Sequence, residues 1–248
     1  MDVTVASRAG RQRPVSDDRW VAVTGDAGLL LAVADGMGGT VGGGDAATAV
    51  LAGLVDGLAA GQDLGAAVAG AHHRVRGLAP DGLPVPLRPG TTLTAALVDG
   101  HRMRLAHLGD SSCWLLRRGR LRRLTEEHTH AAALVRAGAV EPGSVAQRRL
   151  DSLLTRYAGM PGAACPQLLS VRLRAGDRLL VATDGATRAL AVPALATLLA
   201  RSGTAAGDLV RAAADAGGRD DATALLAAMP MDTADVGLDT RYVGEGAR

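Results

Sequence analysis

The sequence predicts an α+β fold built on antiparallel sheets, and three observations carry that expectation. Short apolar runs bounded by Gly, Asp or Arg outnumber helical stretches. Several of these runs come in pairs joined by hairpin turns. The helical stretches fall between groups of strands instead of after each one.

Taken in order, Asp2 to Ser7 alternates polar and apolar residues, as a half-buried strand does. Trp20 to Val23 and Leu29 to Val33 read as a strand pair, with a Gly-containing turn over Thr24 to Gly28. Asp45 to Ala60 is rich in Ala and Leu and reads as a helix; a second runs from Leu64 to Gly77, with Gly61 between them. Ala79 to Gly90 carries Pro80, Pro84, Pro86 and Pro89 and is expected as a surface loop. Thr92 to Val98 and Met103 to Leu108 flank Asp99-Gly100, a strong hairpin signal. Ser112 to Arg117 and Arg120 to Leu124 form a second hairpin around Arg118-Gly119. Ala131 to Ala137 reads as a short helix, and Gly138 to Leu150 as irregular and Arg-rich. Leu168 to Leu173 and Arg178 to Val181 are strands around Ala175-Gly176-Asp177. Helices follow at Pro193 to Arg201 and Ala205 to Ala216, and Ala222 to Met229 is a last strand. The expected organisation is one domain over residues 1–229 and a polar C-terminal tail over 230–248.

Composition narrows the function classes. With 48% hydrophobic residues in 248, the chain can bury a substantial core. Lys, Asn, Ile and Phe are absent, so every basic residue is Arg. Those Arg are scattered and the net charge is only +2, which argues against a nucleic-acid partner. Cys113 and Cys165 form no C-x-x-C pair, so neither a disulfide framework nor a zinc site is indicated. No apolar run reaches the roughly 18 residues that span a membrane, and Met1 to Gly10 lacks the charged and apolar regions of a secretion signal. A soluble cytoplasmic chain is the expectation.

The chemistry gathers at strand ends. Asp17-Asp18 precedes the strand at Trp20, and Asp35-Gly36-Met37-Gly38-Gly39 follows the one ending at Val33. Gly109-Asp110-Ser111, Thr183-Asp184-Gly185 and Arg219-Asp220-Asp221 flank three further strands. Any one of these is ordinary turn chemistry. Jointly they mean more, because apolar strands feeding Asp-Gly pairs bring carboxylates to one end of a sheet. Clustered carboxylates repel and raise one another's pKa. A hard divalent cation such as magnesium or manganese, which favours oxygen ligands, removes that conflict. Gly36 has no side chain, so its carbonyl can approach an ion closely.

With those residues in place, the chain resembles the metal-dependent protein phosphatases of the 2C type, in their bacterial form, over about Val3 to Met229. Arg13 through Asp18 is similar to the family's R-x-x-N-E-D, and Val33 through Gly39 to its V-A-D-G-M-G-G. Gly90-Thr91-Thr92 matches G-T-T, and Leu108 through Ser111 matches most of the G-D-S-R motif. Leu124 through Thr129 resembles L-T-x-D-H-S, and Leu154 through Gly159 resembles L-T-R-x-x-G. Gly176 through Gly185 matches the strand into S-D-G, and Gly218 through Thr223 resembles G-x-D-N-x-T.

The resemblance implies a four-layer α-β-β-α sandwich, two antiparallel sheets flanked by helices, with metals at one edge. It implies that Asp35 bridges two cations, manganese or magnesium, and that the Gly36 carbonyl binds one of them. Asp184 and Asp220 would complete the second, Asp18 would act directly or through water, and Asp110 would help hold a weaker third metal. Arg13 would grip the substrate phosphate, with Arg13, Asp35 and Asp184 as the catalytic set. The implied reaction is hydrolysis of phosphoserine and phosphothreonine in proteins by a metal-bridging hydroxide, with no covalent intermediate. Physical reasoning agrees, since two divalent cations neutralise the four charges of Asp18, Asp35, Asp184 and Asp220. The implied partners are phosphorylated proteins, products of Ser/Thr kinases, with no nucleic acid, no membrane and a monomeric chain.

The chain departs from the family pattern at several positions. Asp17 replaces Glu, Asp221 replaces the Asn of D-N, Ser112 stands where G-D-S-R has Arg, and Glu127 replaces the Asp of D-H-S. The last two predict altered packing near Asp110 and put the third-metal site in question. His128, His107 and the His72-His73 pair are expected to be structural. Residues 131–150 fall where bacterial members carry a flap, and Arg136, Arg148 and Arg149 there could meet acidic phosphopeptides. Two alternatives stay open on sequence: a non-catalytic phosphopeptide-binding or regulatory relative, and a phosphatase of a small molecule or an anti-anti-sigma-type regulator. The retained G-T-T, G-D-S and L-T-R motifs favour the general protein-phosphatase branch.

Overall fold

A computed structural model describes residues 1–11, 14–37, 42–80 and 82–230. Two antiparallel sheets stack face to face. One has the order β1 (Asp2–Arg8), β11 (Ala222–Ala228), β10 (Arg178–Ala182), β7 (Ser112–Arg117) and β8 (Arg120–Arg123). The other runs β2 (Asp18–Gly25), β3 (Gly28–Met37), β5 (Leu93–Asp99), β6 (Arg102–Leu108) and β9 (Gln167–Arg172), with β4 (Gly90–Thr91) added to the end of β3. Both expected hairpins form, β5 with β6 and β7 with β8. The strands β9 and β10 do not pair with each other, because the chain crosses between sheets at Ala175-Gly176-Asp177.

The period-two pattern of the central strands sorts their side chains into two cores. On β3, Leu30, Ala32 and Ala34 face α1 (Gly43–Ala59) and α2 (Leu64–Arg76), while Leu31 and Val33 face the other sheet. On β11, Leu225 and Ala227 point between the sheets, and Ala222, Ala224 and Leu226 pack under α6 (Val192–Ala200) and α7 (Ala206–Asp215). Strands covered on both faces read as near-continuous apolar runs, which is why these two are so poor in polar residues. The expected α-β-β-α layering is therefore present, held by a middle core between the sheets and an outer core under each helix pair. Among the described residues, no helix is long and apolar enough to cross a membrane.

Three local expectations are corrected. β3 continues past Val33 to Met37, so Asp35 and Gly36 lie in the strand, supported by pairing of Gly36 with Thr91 and Met37 with Gly90. Residues 138–150 are not all irregular: α4 (Val145–Leu150) forms after Ser144, whose hydroxyl accepts from the Gln147 N–H at 3.1 Å. Asp184 does not sit in a turn but opens α5 (Asp184–Thr187). The short helix α3 (His130–Arg136) forms as expected, capped by Thr129 accepting from the Ala132 N–H at 3.0 Å. The expected tail lies outside the described residues, apart from Pro230.

Candidate metal centre

The alternation that builds the middle core also builds the site. Continuing the inward row of β3 beyond Leu31 and Val33 puts Asp35 at the mouth of the inter-sheet layer. Asp18 is its direct cross-strand partner on β2, so the two side chains share that face. The inward row of β10, Leu179 and Val181, leads to Thr183. The inward row of β11, read backwards from Leu225, leads to Thr223 and Asp221. Both sheets thus end, at the same edge, in polar groups that floor a cleft.

The motif residues hold those groups in place. Thr91 Oγ1 and the Thr92 N–H both donate to the Asp35 carbonyl at 2.9 Å, and the Asp35 N–H donates to Thr92 Oγ1 at 2.9 Å. Thr92 Oγ1 meets Ser111 Oγ at 2.8 Å, tying the Gly-Thr-Thr segment to the loop that carries Asp110. Thr183 Oγ1 donates to Asp18 Oδ2 at 2.8 Å and accepts from the Thr223 N–H at 2.9 Å, linking the two sheets. Asp221 is buried, and its carboxylate accepts from the N–H groups of Gly10 and Asp17, each at 2.7 Å. Asp17 in turn accepts from the Gly44 N–H at 3.1 Å, in the first turn of α1.

Close backbone packing explains both Asp-Gly pairs. A Cβ on Gly36 would stand 2.2 Å from the Gly43 carbonyl oxygen, and one on Gly185 would stand 2.0 Å from the Asp221 carbonyl oxygen. Each glycine lets the segment carrying its aspartate, β3 for Asp35 and α5 for Asp184, press against the next element of the site.

Electrostatics shows what the cleft lacks. Burial, reinforced by the charges of Asp18, Asp184, Asp110 and Asp220, holds the Asp35 carboxyl well above the usual carboxylate range. Burial pushes Asp18 up to about 7, against the hydrogen bonds of Thr223 and Thr183 and with help from Asp221 and Asp184. Asp110 is likewise pushed up to about 7, by burial and then Asp184, with Arg188 opposing. Asp184 is raised chiefly by burial, and its side chain is within hydrogen-bonding reach of Asp35. Oδ1 of Asp18 and Oδ1 of Asp184 are buried with no hydrogen-bond partner. Partnerless buried carboxylate oxygens are costly.

Hydrated divalent cations suit these residues. Among the described residues, no three His, Cys, Asp or Glu side chains are grouped closely enough to hold a metal ion. Magnesium does not need such a group, since it keeps several waters and takes one or two carboxylates. The two partnerless oxygens and the mutual repulsion are what such ions would relieve.

Comparison with known proteins decides the family. The sequence model of protein phosphatase 2C matches residues 7–227. The chain belongs to this family. The serine/threonine protein phosphatase PstP of Mycobacterium tuberculosis is 34% identical over 215 residues, covering 80% of this chain and 40% of PstP. This 2C chain therefore spans less than half the length of that relative. The PPM Ser-Thr phosphatase MsPP from Mycobacterium smegmatis, in complex with cacodylate, aligns with a TM-score of 0.80 at 32% identity, over 92% of this chain and 98% of MsPP. The catalytic domain of PstP in complex with 2 manganese ions aligns with a TM-score of 0.76 at 30% identity, over 91% of this chain and 96% of that one.

Of the expected 2C site residues, Asp18, Asp35, Gly36, Asp110, Asp184 and Asp220 lie at the one edge, and Arg13 lies outside the described residues. Asp220 is exposed, and its Oδ1 accepts from the Asp221 N–H at 2.9 Å. His128 is structural as expected: its Nδ1 accepts from the Gly109 N–H at 3.2 Å, and its own N–H donates to the Gly109 carbonyl. His107 bonds Thr94 and the Glu126 carbonyl, and burial lowers its pKa to about 3. His72 is buried between the N–H of Gly159 and the carbonyl of Gly162. Sequence reasoning missed the bridging Thr183, the supporting carboxylate of Asp221, and Arg188. The last had a signal, since it stands four residues after Asp184 at helical spacing.

Proposed function

We propose that the chain hydrolyses phosphoserine and phosphothreonine esters of proteins with two divalent cations, manganese or magnesium, held between Asp18, Asp35, Asp184 and Asp220. The observation that carries the reading is Asp35 itself, a carboxylate set opposite Asp18 and facing three further aspartates, in a cleft where two carboxylate oxygens have no partner. The PstP catalytic domain with 2 manganese ions supports it.

Asp35 would be shared by both cations, the Gly36 carbonyl would serve one, and Asp184 and Asp220 would complete the other. When bound, the cations supply charge neutralisation, a water of lowered pKa and polarisation of the phosphoryl oxygens. The rest falls to this chain's own residues. Thr183 holds Asp18 through Oδ2 and leaves Oδ1 buried without a hydrogen-bond partner. Thr91 and Thr92 pin the Asp35 backbone, so that its carboxylate is held before substrate arrives. Arg13 would receive the phosphate, for which a guanidinium fork is suited. Residues 131–150 would form the flap that selects substrates, with Arg136, Arg148 and Arg149 exposed on it.

The test is phosphate release from phosphothreonine peptides and from p-nitrophenyl phosphate. Turnover should require manganese or magnesium and should fall by roughly 10³-fold in Asp35→Ala and in Asp184→Ala. Peptide binding without turnover at saturating manganese would instead make the chain a phosphopeptide-binding relative.

A further inference from the structure

The carboxylate of Asp110 is the group expected to draw a third divalent ion, and the structure puts a protein cation there. Nη2 of Arg188 lies 2.9 Å from Asp110 Oδ2 and 2.9 Å from Asp184 Oδ2. We infer that Arg188 is a built-in cation that takes the place of a third divalent ion, so that the site works with two. This rests on the two-cation reading above.

Three of the oxygens that an ion beside Asp110 could recruit already face a guanidinium. Asp110 Oδ2 accepts from Arg188. The Asp110 carbonyl accepts from Arg123 Nη2 at 3.1 Å, and Glu127 Oε1 pairs with Arg123 Nη1. Arg123 is itself held over the Trp114 ring, 5.6 Å from its centroid. A divalent ion needs such oxygens at about 2.0–2.1 Å in near-octahedral order. It cannot share them with a guanidinium whose own positive charge repels it.

Arg188 is well anchored for the task. Its backbone N–H donates to the Asp184 carbonyl at 2.6 Å, closing the turn of α5. Its side chain is half-exposed, so it covers the buried Asp110 and Asp184 from the solvent side. The aspartate shared by both halves of the site shows the division of labour. Asp184 gives Oδ2 to Arg188 and keeps Oδ1 without a protein partner, for the main centre. A guanidinium stays charged throughout the physiological range. Unlike a weakly held ion, it does not leave when free metal falls.

The experiment is a count of bound manganese by native mass spectrometry and calorimetric titration, with melting temperatures in chelator. Wild type should bind two ions per chain. Arg188→Ala should bind three and should melt lower than wild type in chelator, because Asp110 loses its partner. Arg188→Lys, which keeps the positive charge, should stay at two. Three ions in wild type, or no added ion in folded Arg188→Ala, would overturn the inference while leaving the two-cation reading standing. No bound manganese in wild type would sink that reading first. If Arg188→Ala does not fold, the wild-type and Arg188→Lys counts still decide.

Discussion

The two halves of the acidic edge solve the same problem in opposite ways. Around Asp110, buried negative charge is met by protein cations: Arg188 on its carboxylate, and Arg123 on its carbonyl and on Glu127. Around Asp35, burial and then the charges of Asp18, Asp184, Asp110 and Asp220 raise its pKa; the contacts described to the Asp18 and Asp220 carboxylates are hydroxyl and backbone N–H donors, while Asp184 and Asp110 share Arg188. The first arrangement is met by the protein's own cations. On the two-cation reading, the second is met by added ones. Stability alone would favour neutralising both halves, so the half left without protein cations is the one the two-cation reading assigns to the reaction.

The contrast can be broken first at Asp35. Asp35→Asn should cost roughly 10³-fold in turnover. In chelator at pH 8, the same variant should melt about 2–4 °C higher than wild type, because it removes a carboxylate that burial and its neighbours oppose. Paired assays of phosphate release and thermal melting check both signs.

The pH dependence of the metal-free protein sharpens it next. Folded Asp18 and Asp110 titrate at about 7, against 3.8 for an unshifted aspartate. Between those values the folded state holds more protons than the unfolded state, so the contribution of these groups falls as pH rises and levels off above about 7. Urea midpoints in chelator should decline over that window. Saturating manganese should remove the share of the decline that comes from Asp18 and leave the share from Asp110, which keeps Arg188 as its partner.

Two smaller effects test the scaffold. Gly185→Ala puts a methyl 2.0 Å from the Asp221 carbonyl oxygen and should cost about 1–3 kcal/mol in urea unfolding. Thr183→Val removes the donor to Asp18 Oδ2 and the acceptor of the Thr223 N–H, for about 1–2 kcal/mol. That loss should be smaller in manganese, where Asp18 has a cation to face.

Much of this was legible because it is written in periods and strand ends. The short apolar run Leu29 to Val33, bounded by Gly and Asp, predicts β3, and the apolar runs leading to Asp35 and Asp184 predict where their carboxylates go. What escaped depends on partners distant in sequence. β3 runs on to Met37 only because Gly90 and Thr91 come alongside. Asp221 reads as a replaced Asn, whereas its carboxylate holds the backbone of Gly10 and Asp17. Arg188 is one Arg among many until the fold sets Asp110 against it. The α4 turn is a different kind of miss, since Ser144 and Gln147 carry a local capping signal.

The measurement that bears most directly on the paired-cation centre is calorimetric titration of manganese near pH 6 in buffers of different ionisation enthalpy. Buried aspartates that hold protons must give them up to bind cations. The account predicts tight binding with net proton release, which shrinks as pH rises past 7 and is lost with binding in Asp35→Ala. Manganese binding that releases no protons, or that survives unchanged in Asp35→Ala, would contradict it.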